Sequence, residues 1–236
     1  MALPKLNDFP HYELVIPSTG KTIGYRPFLV KEQKVLLMAL ESQDEKQVLR
    51  AVIDTLKSCI VDPINIESLA TFDIEYIFTQ LRAKSVGENT SVNLKCSKCD
   101  EYTEVSIKVD DIKINVHPGD SLIQLTDQYT LKMRYPQYSG LLLSTESNDE
   151  NTLTNAMFEM IIMCLDELRS DDDIIKFDDE VRTEIETFLE SLTTSQFELV
   201  MNFVNNLPKL EHKVDFICTS CNHENSITLQ GLQDFF

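Results

Sequence analysis

Four of the six cysteines stand in two Cys-x-x-Cys pairs, Cys96/Cys99 and Cys218/Cys221. In a chain without a secretion signal, paired thiols at this spacing are metal ligands or redox centres more often than structural disulfides. The two regions match well beyond the cysteines. At an offset of 122 residues, Val92-Asn93-Leu94-Lys95-Cys96-Ser97-Lys98-Cys99-Asp100 lies over Val214-Asp215-Phe216-Ile217-Cys218-Thr219-Ser220-Cys221-Asn222, and Val105-Ser106-Ile107 lies over Ile227-Thr228-Leu229. Each copy reads as strand, tight turn, strand, which is the form of a zinc knuckle. One knuckle offers two thiolates, and a tetrahedral structural site needs four ligands. Cys96, Cys99, Cys218 and Cys221 are therefore expected to share one structural zinc ion per chain, closing a ribbon across 118 intervening residues. His223 is the substitute ligand nearest to hand, but its counterpart in the first copy is Glu101, so symmetry favours four cysteines. The redox alternative fits less well: a thioredoxin-like pair sits at a helix N-terminus, where the dipole favours the thiolate, and both pairs here run on into strand-like sequence. A closed four-thiolate shell has no open coordination position, so such a metal holds structure and performs no catalysis.

Other chemistry-bearing signals are weaker. Ser18-Thr19-Gly20-Lys21-Thr22 resembles the end of a phosphate-binding loop, but Val15 stands where that motif requires glycine, and Pro27 obstructs the helix that should follow. A hairpin turn is the better reading. Asp171-Asp172-Asp173 resembles the start of a calcium loop, but Ile175 occupies the third ligand position and the glycine is missing. Cys59 and Cys164 lie on apolar helical stripes and read as buried thiols. No nucleophile–base–acid or paired-carboxylate arrangement emerges, so no catalytic residue is assigned and the expectation is a protein that is not an enzyme.

The elements that must position the thiols follow from periodicity. Tyr12–Ile16 and Thr22–Arg26 read as a strand pair around the Pro17-Ser18-Thr19-Gly20 turn. Three helices follow: Val30 to about Ser42; one carrying Val48, Val52, Leu56 and Cys59; and Ser68–Val86 with Leu69, Phe72, Ile77 and Leu81 inward. Alternation then marks strands at Ser91–Lys95 and Tyr102–Val109, and extended sequence at Tyr129–Arg134. Helical spacing returns at Leu153–Arg169 (Met157, Met160, Ile161, Cys164, Leu168), at Val181–Leu192 and at Phe197–Leu207, with strands at Lys213–Ile217 and Asn225–Leu229. The polar stretch Ser144–Asn151 is the best internal linker. The expected fold is α+β: a mainly helical body with β-hairpins and a zinc ribbon assembled from two distant knuckles. Its segments are 1–90 (hairpin plus helices), 91–143 (first knuckle and β-rich stretch), 144–209 (helical) and 210–236 (second knuckle and tail), forming one composite domain.

Composition narrows the partners. Lys and Arg number 21 against 39 Asp and Glu, for a formal charge of −18, which argues against a protein whose main task is gripping phosphate backbones. No apolar run approaches the ~18 residues that span a bilayer, and the opening Met1–Asp8 lacks a signal-peptide layout. The expectation is a cytosolic protein that binds neither nucleic acid nor membrane.

The chain also resembles a known family. Leu14-Val15-Ile16-Pro17-Ser18-Thr19-Gly20-Lys21, continuing to Tyr25-Arg26-Pro27-Phe28-Leu29-Val30-Lys31-Glu32, is similar to the opening of baseplate hub proteins of T4-like bacteriophages. The end resembles that family too: Pro208-Lys209-Leu210, a strand, Cys218-x-x-Cys221, another strand, and Gly231-Leu232 before Phe235-Phe236. The middle Cys-x-x-Cys and the Tyr129–Pro136 stretch fit the same pattern. The resemblance implies a non-enzymatic late protein of the virus, acting in structure or assembly of the central hub of the tail baseplate. Its partners would be other hub proteins, and its locations the host cytoplasm during assembly and the virion tail. Phe235 and Phe236 are candidate contacts. Two further readings of the residues are a zinc-ribbon adaptor of transcription or RNA machinery and a dithiol oxidoreductase.

Overall fold

The computed structural model describes residues 9–115, 121–140 and 153–231. The Ser144–Asn151 stretch, Phe235 and Phe236 lie outside the described residues. Helices and small antiparallel sheets give an α+β fold, arranged as two units: one formed by Met1–Asn115 with Lys209–Phe236, the other by Val116–Pro208.

The first unit opens with a hairpin of β1 (Tyr12–Val15) and β2 (Thr22–Tyr25), paired from Tyr12↔Tyr25 to Val15↔Thr22. Its turn closes with the Gly20 amide donating to the Ile16 carbonyl, and Gly20 takes the left-handed φ of 68° that glycine tolerates best. The Ser18 amide and hydroxyl both donate to the carboxylate of Asp73, a wholly buried residue of α3 (Thr71–Ser85). Burial pushes the Asp73 carboxyl up, and the two Ser18 bonds work the other way. The segment that looks like a phosphate loop is thus a turn latched to a helix.

Between hairpin and α3 run α1 (Val30–Glu41) and α2 (Glu45–Cys59). Glu32 returns to the Leu29 amide at the start of α1, and Asp44 caps α2 by accepting from the Lys46 and Gln47 amides. Helix α2 stops at Cys59 because Ile60 turns extended and bridges to Tyr25, while the Val61 amide donates to the Gly24 carbonyl. Helix α3 buries Phe72, Ile77 and Leu81, the positions its spacing selects, although it starts at Thr71 rather than Ser68, behind a short 3-10 turn at Ile66–Ser68.

Two further hairpins complete this unit. Strands β3 (Asn89–Lys95) and β4 (Tyr102–Lys108) pair antiparallel, as do β10 (Lys209–Ile217) and β11 (Glu224–Gln230). Their inward faces share one core: Val92, Leu94 and Ile107 from the first, Leu210, Val214, Phe216 and Leu229 from the second, with Ala83 of α3. Strand β5 (Lys113–Asn115) pairs with the start of β10, setting Asn115 opposite Lys209. The chain thus leaves and re-enters this unit at neighbouring positions on adjacent strands.

The second unit is a four-stranded antiparallel sheet in the order β6 (Leu122–Gln124), β7 (Thr130–Met133), β8 (Leu165–Arg169), β9 (Ile174–Lys176), with helices α4 (Leu153–Cys164), α5 (Arg182–Ser191) and α6 (Thr194–Asn205). Its core joins Leu131, Ile161, Cys164, Leu165, Leu189 and Val200. The expected helix over Leu153–Arg169 is corrected here: it ends at Cys164, and Leu165–Arg169 is a strand. Pairing with β7, Leu131↔Leu168 among others, outweighs the local helical spacing. Arg134 sits at the break: its backbone amide donates to the Cys164 carbonyl, and its cationic side chain donates through Nε–H to the Met163 carbonyl at the helix end. Among the described residues no helix is long and apolar enough to cross a membrane.

Candidate metal centre

The two knuckles are the same structure twice. The first hairpin pairs seven positions from Asn89↔Lys108 to Lys95↔Tyr102, and the second pairs Glu211↔Gln230 to Ile217↔Glu224, the same register at the same offset of 122 residues. Each turn closes identically. The Cys96 amide donates to the Glu101 carbonyl and the Asp100 amide to that of Cys96; the Cys218 amide donates to the His223 carbonyl and the Asn222 amide to that of Cys218. Asp100 and Asn222 adopt left-handed φ of 59° and 55°, a conformation for which Asp and Asn are the usual non-glycine choices. Residue type at these two positions is what lets the chain reverse sharply enough to point two sulfurs the same way.

The shared core brings the turns together. The four sulfurs of Cys96, Cys99, Cys218 and Cys221 all lie within 4.8 Å of one another. Cys96 Sγ is 3.7 Å from Cys221 Sγ, and Cys99 Sγ is 3.6 Å from Cys218 Sγ. These two distances are equivalent under the internal repeat. They are far beyond the ~2.05 Å of a disulfide, and all six cysteines are free thiols. They are close to the S···S edge of about 3.8 Å in a tetrahedron with metal–sulfur bonds near 2.3 Å. The donor set fits zinc: four soft ligands within 4.8 Å of one another, with two pairs at the tetrahedral edge length and two of the residues wholly buried.

Electrostatics fit as well. Desolvation opposes ionisation of Cys96, but the Lys98 and Cys99 amides, the Asn225 side chain and the Cys221 thiol bring its pKa down to about 6. Cys218 is lowered by the Cys221 and Ser220 amides. The Glu101 amide favours the Cys99 thiolate, yet the neighbouring thiols and burial prevail and push it up to about 12. Four thiols this close compete for ionisation, and a dication at their centre is what would hold all four as thiolates.

The knuckles also touch around the sulfurs. The Ser97 amide and hydroxyl donate to Asn225 Oδ1, at 3.0 and 2.9 Å. At the equivalent place in the other half, the Thr219 amide donates to Thr103 Oγ1 at 3.3 Å. Thr103 and Asn225 are both buried and were not singled out by motif; the internal alignment that lays Thr103 over Asn225 is the signal that finds them. Among the described residues, the cluster of potential ligands is the four cysteines alone, without His223 and without Asp171, Asp172 or Asp173. Neither pair sits at a helix N-terminus, since β4 and β11 follow them. Burial pushes the thiols of Cys59 and Cys164 up to about 11 and about 12, so both are inert packing residues.

No curated protein and no solved structure matches the chain. A family model described as T4 bacteriophage base plate protein matches residues 9–236. That match runs from the first hairpin through both knuckles, and the chain belongs to the T4 bacteriophage base plate protein family.

Proposed function

We propose that this protein is a non-enzymatic part of the baseplate central hub, acting in its structure or its assembly. A single structural zinc ion, bound by Cys96, Cys99, Cys218 and Cys221, holds it in shape. The observation that carries this reading is the convergence of four thiols from two distant hairpins into a closed, tetrahedron-sized group. Such a shell leaves no coordination position for substrate, which suits a scaffold. Membership of the base plate family supports a place among phage structural proteins. The net charge of −18 suppresses self-association and favours basic partner surfaces among the hub proteins. The protein acts in the host cytoplasm during assembly and at the tail baseplate. In infected cells, tagged protein should co-purify with other hub proteins, and phage lacking this chain should leave tails unassembled. Normal tails from such phage would refute the role.

A further inference from the structure

We propose that Asn225 is a positioning residue for the metal, locking the first knuckle to the second and holding the Cys96 sulfur in place as a ligand, so that the two halves of the site are unequal. The inference rests on the zinc reading of the four thiols.

Asn225 is more than nine-tenths buried and uses its whole hydrogen-bonding capacity at the centre. Its oxygen accepts from the Ser97 amide and hydroxyl in the first knuckle. Its Nδ2 donates to the His223 carbonyl at 2.9 Å in the second knuckle, and to Cys96 Sγ at 3.5 Å. With two donors and two acceptor positions all engaged, the amide has one orientation: turned over, its NH2 would face the Ser97 N–H. Asn225 follows Cys221 by four residues, yet the sulfur it serves belongs to the other hairpin. It is therefore a bond between the halves as well as a bond to the ligand.

The internal repeat supplies the control. At the equivalent position stands Thr103, whose hydroxyl accepts from the Thr219 amide, as Asn225 accepts from Ser97, and lies 3.5 Å from Thr219 Oγ1. Threonine reproduces the bridge between turns but has no NH2 to offer Cys218 Sγ. Beside the backbone amides, the site thus keeps one side-chain amide donor where symmetry would allow two. A hydrogen bond donated to a ligand sulfur fixes the position from which that sulfur meets the metal, and outer partners of this kind are worth roughly 10–100-fold in metal retention.

The test uses full-length protein loaded with Co(II), whose sulfur-to-metal absorption reports on the thiolates, with release to excess EDTA followed in time. Asn225→Thr copies the residue of the other half and keeps the bridge. It is expected to release cobalt about 10–100-fold faster than the unaltered protein, with a shifted charge-transfer band. The exchanged pair Thr103→Asn with Asn225→Thr moves the donor to the Cys218 side and is expected to recover slow release. Release from Asn225→Thr at the original rate, or an exchanged pair as leaky as the single variant, would overturn the proposal. Should Asn225→Thr fail to fold, Thr103→Asn alone decides: slower release supports the role of the donor, unchanged release overturns it. A starting protein that takes up no cobalt sinks the zinc reading and this inference together, whereas uptake with indifferent variants sinks only this one.

Discussion

Cys96→Ser and Cys218→Ser should destabilise the protein by nearly equal amounts, although the residues sit 122 positions apart in sequence. Both cysteines are wholly buried, both directly follow a strand of equivalent register, and each faces one thiol of the opposite knuckle at 3.6–3.7 Å. Structural zinc binds with about 10–16 kcal/mol in small peptides; spread over four sulfurs, this is about 2.5–4 kcal/mol per ligand. Since a domain is stable by only about 5–15 kcal/mol in total, either change removes a large share. The Asn225 bond to Cys96 has no counterpart at Cys218, so Cys96→Ser should be worse by about 1 kcal/mol, the net worth of one hydrogen bond. Urea unfolding with saturating zinc measures the difference. Repeated in excess chelator, Cys218→Ser should converge on the unaltered protein and Cys96→Ser should come within about 1 kcal/mol of it, because the metal is then absent from all three and only the Asn225 bond still distinguishes them. A severe loss from one variant beside a mild loss from the other, or losses from both that stay undiminished in chelator, would refute a shared shell.

Three further outcomes concern the rest of the fold. Asp73→Ala strands the amide and hydroxyl of Ser18 and should cost about 1–3 kcal/mol in urea unfolding, whereas Asp73→Asn, which can still bond to both groups, should cost less than 1 kcal/mol. The Arg134 guanidinium, in a two-pronged bond to Asp178, holds that carboxyl below its ordinary value of 3.8. A carboxyl lowered by folding stabilises above its ordinary pKa and loses that contribution as pH falls through the lowered value. Arg134→Met should therefore flatten the decline of the urea midpoint between about pH 5 and pH 2; an unchanged decline would show that the pair contributes nothing. Leu131→Ala, at a fully buried position of the second unit's sheet, should cost about 2–5 kcal/mol by urea unfolding.

Much of this molecule is legible in its sequence because local signals and tertiary packing agree. The alternation of Ser91–Lys95 and Tyr102–Val109, the spacing of Phe72, Ile77 and Leu81, and the turn at Gly20 each name an element that is present. The thiol cluster is legible for a different reason: two matched pairs make sense only together, and the repeat fixes their common form. Leu165–Arg169 was illegible as a strand because the helical spacing from Met157 to Leu168 runs straight through the break, and only the pairing with Leu131 and its neighbours ends the helix. Pairing of Lys113–Asn115 with β10 is set by register across a long excursion of the chain, for which three residues carry no local mark. Asn225 escaped because a single asparagine in a strand reads as unremarkable until it is aligned with Thr103 and found against the opposite turn.

Mass spectrometry of the purified, undenatured chain, paired with elemental analysis, decides whether the four cysteines share one metal ion. One zinc per chain, lost together with the native mass shift in a variant lacking both Cys96 and Cys218, is the predicted result. A chain that carries no metal when expressed with zinc present, or that keeps its zinc after both cysteines are replaced, would contradict it.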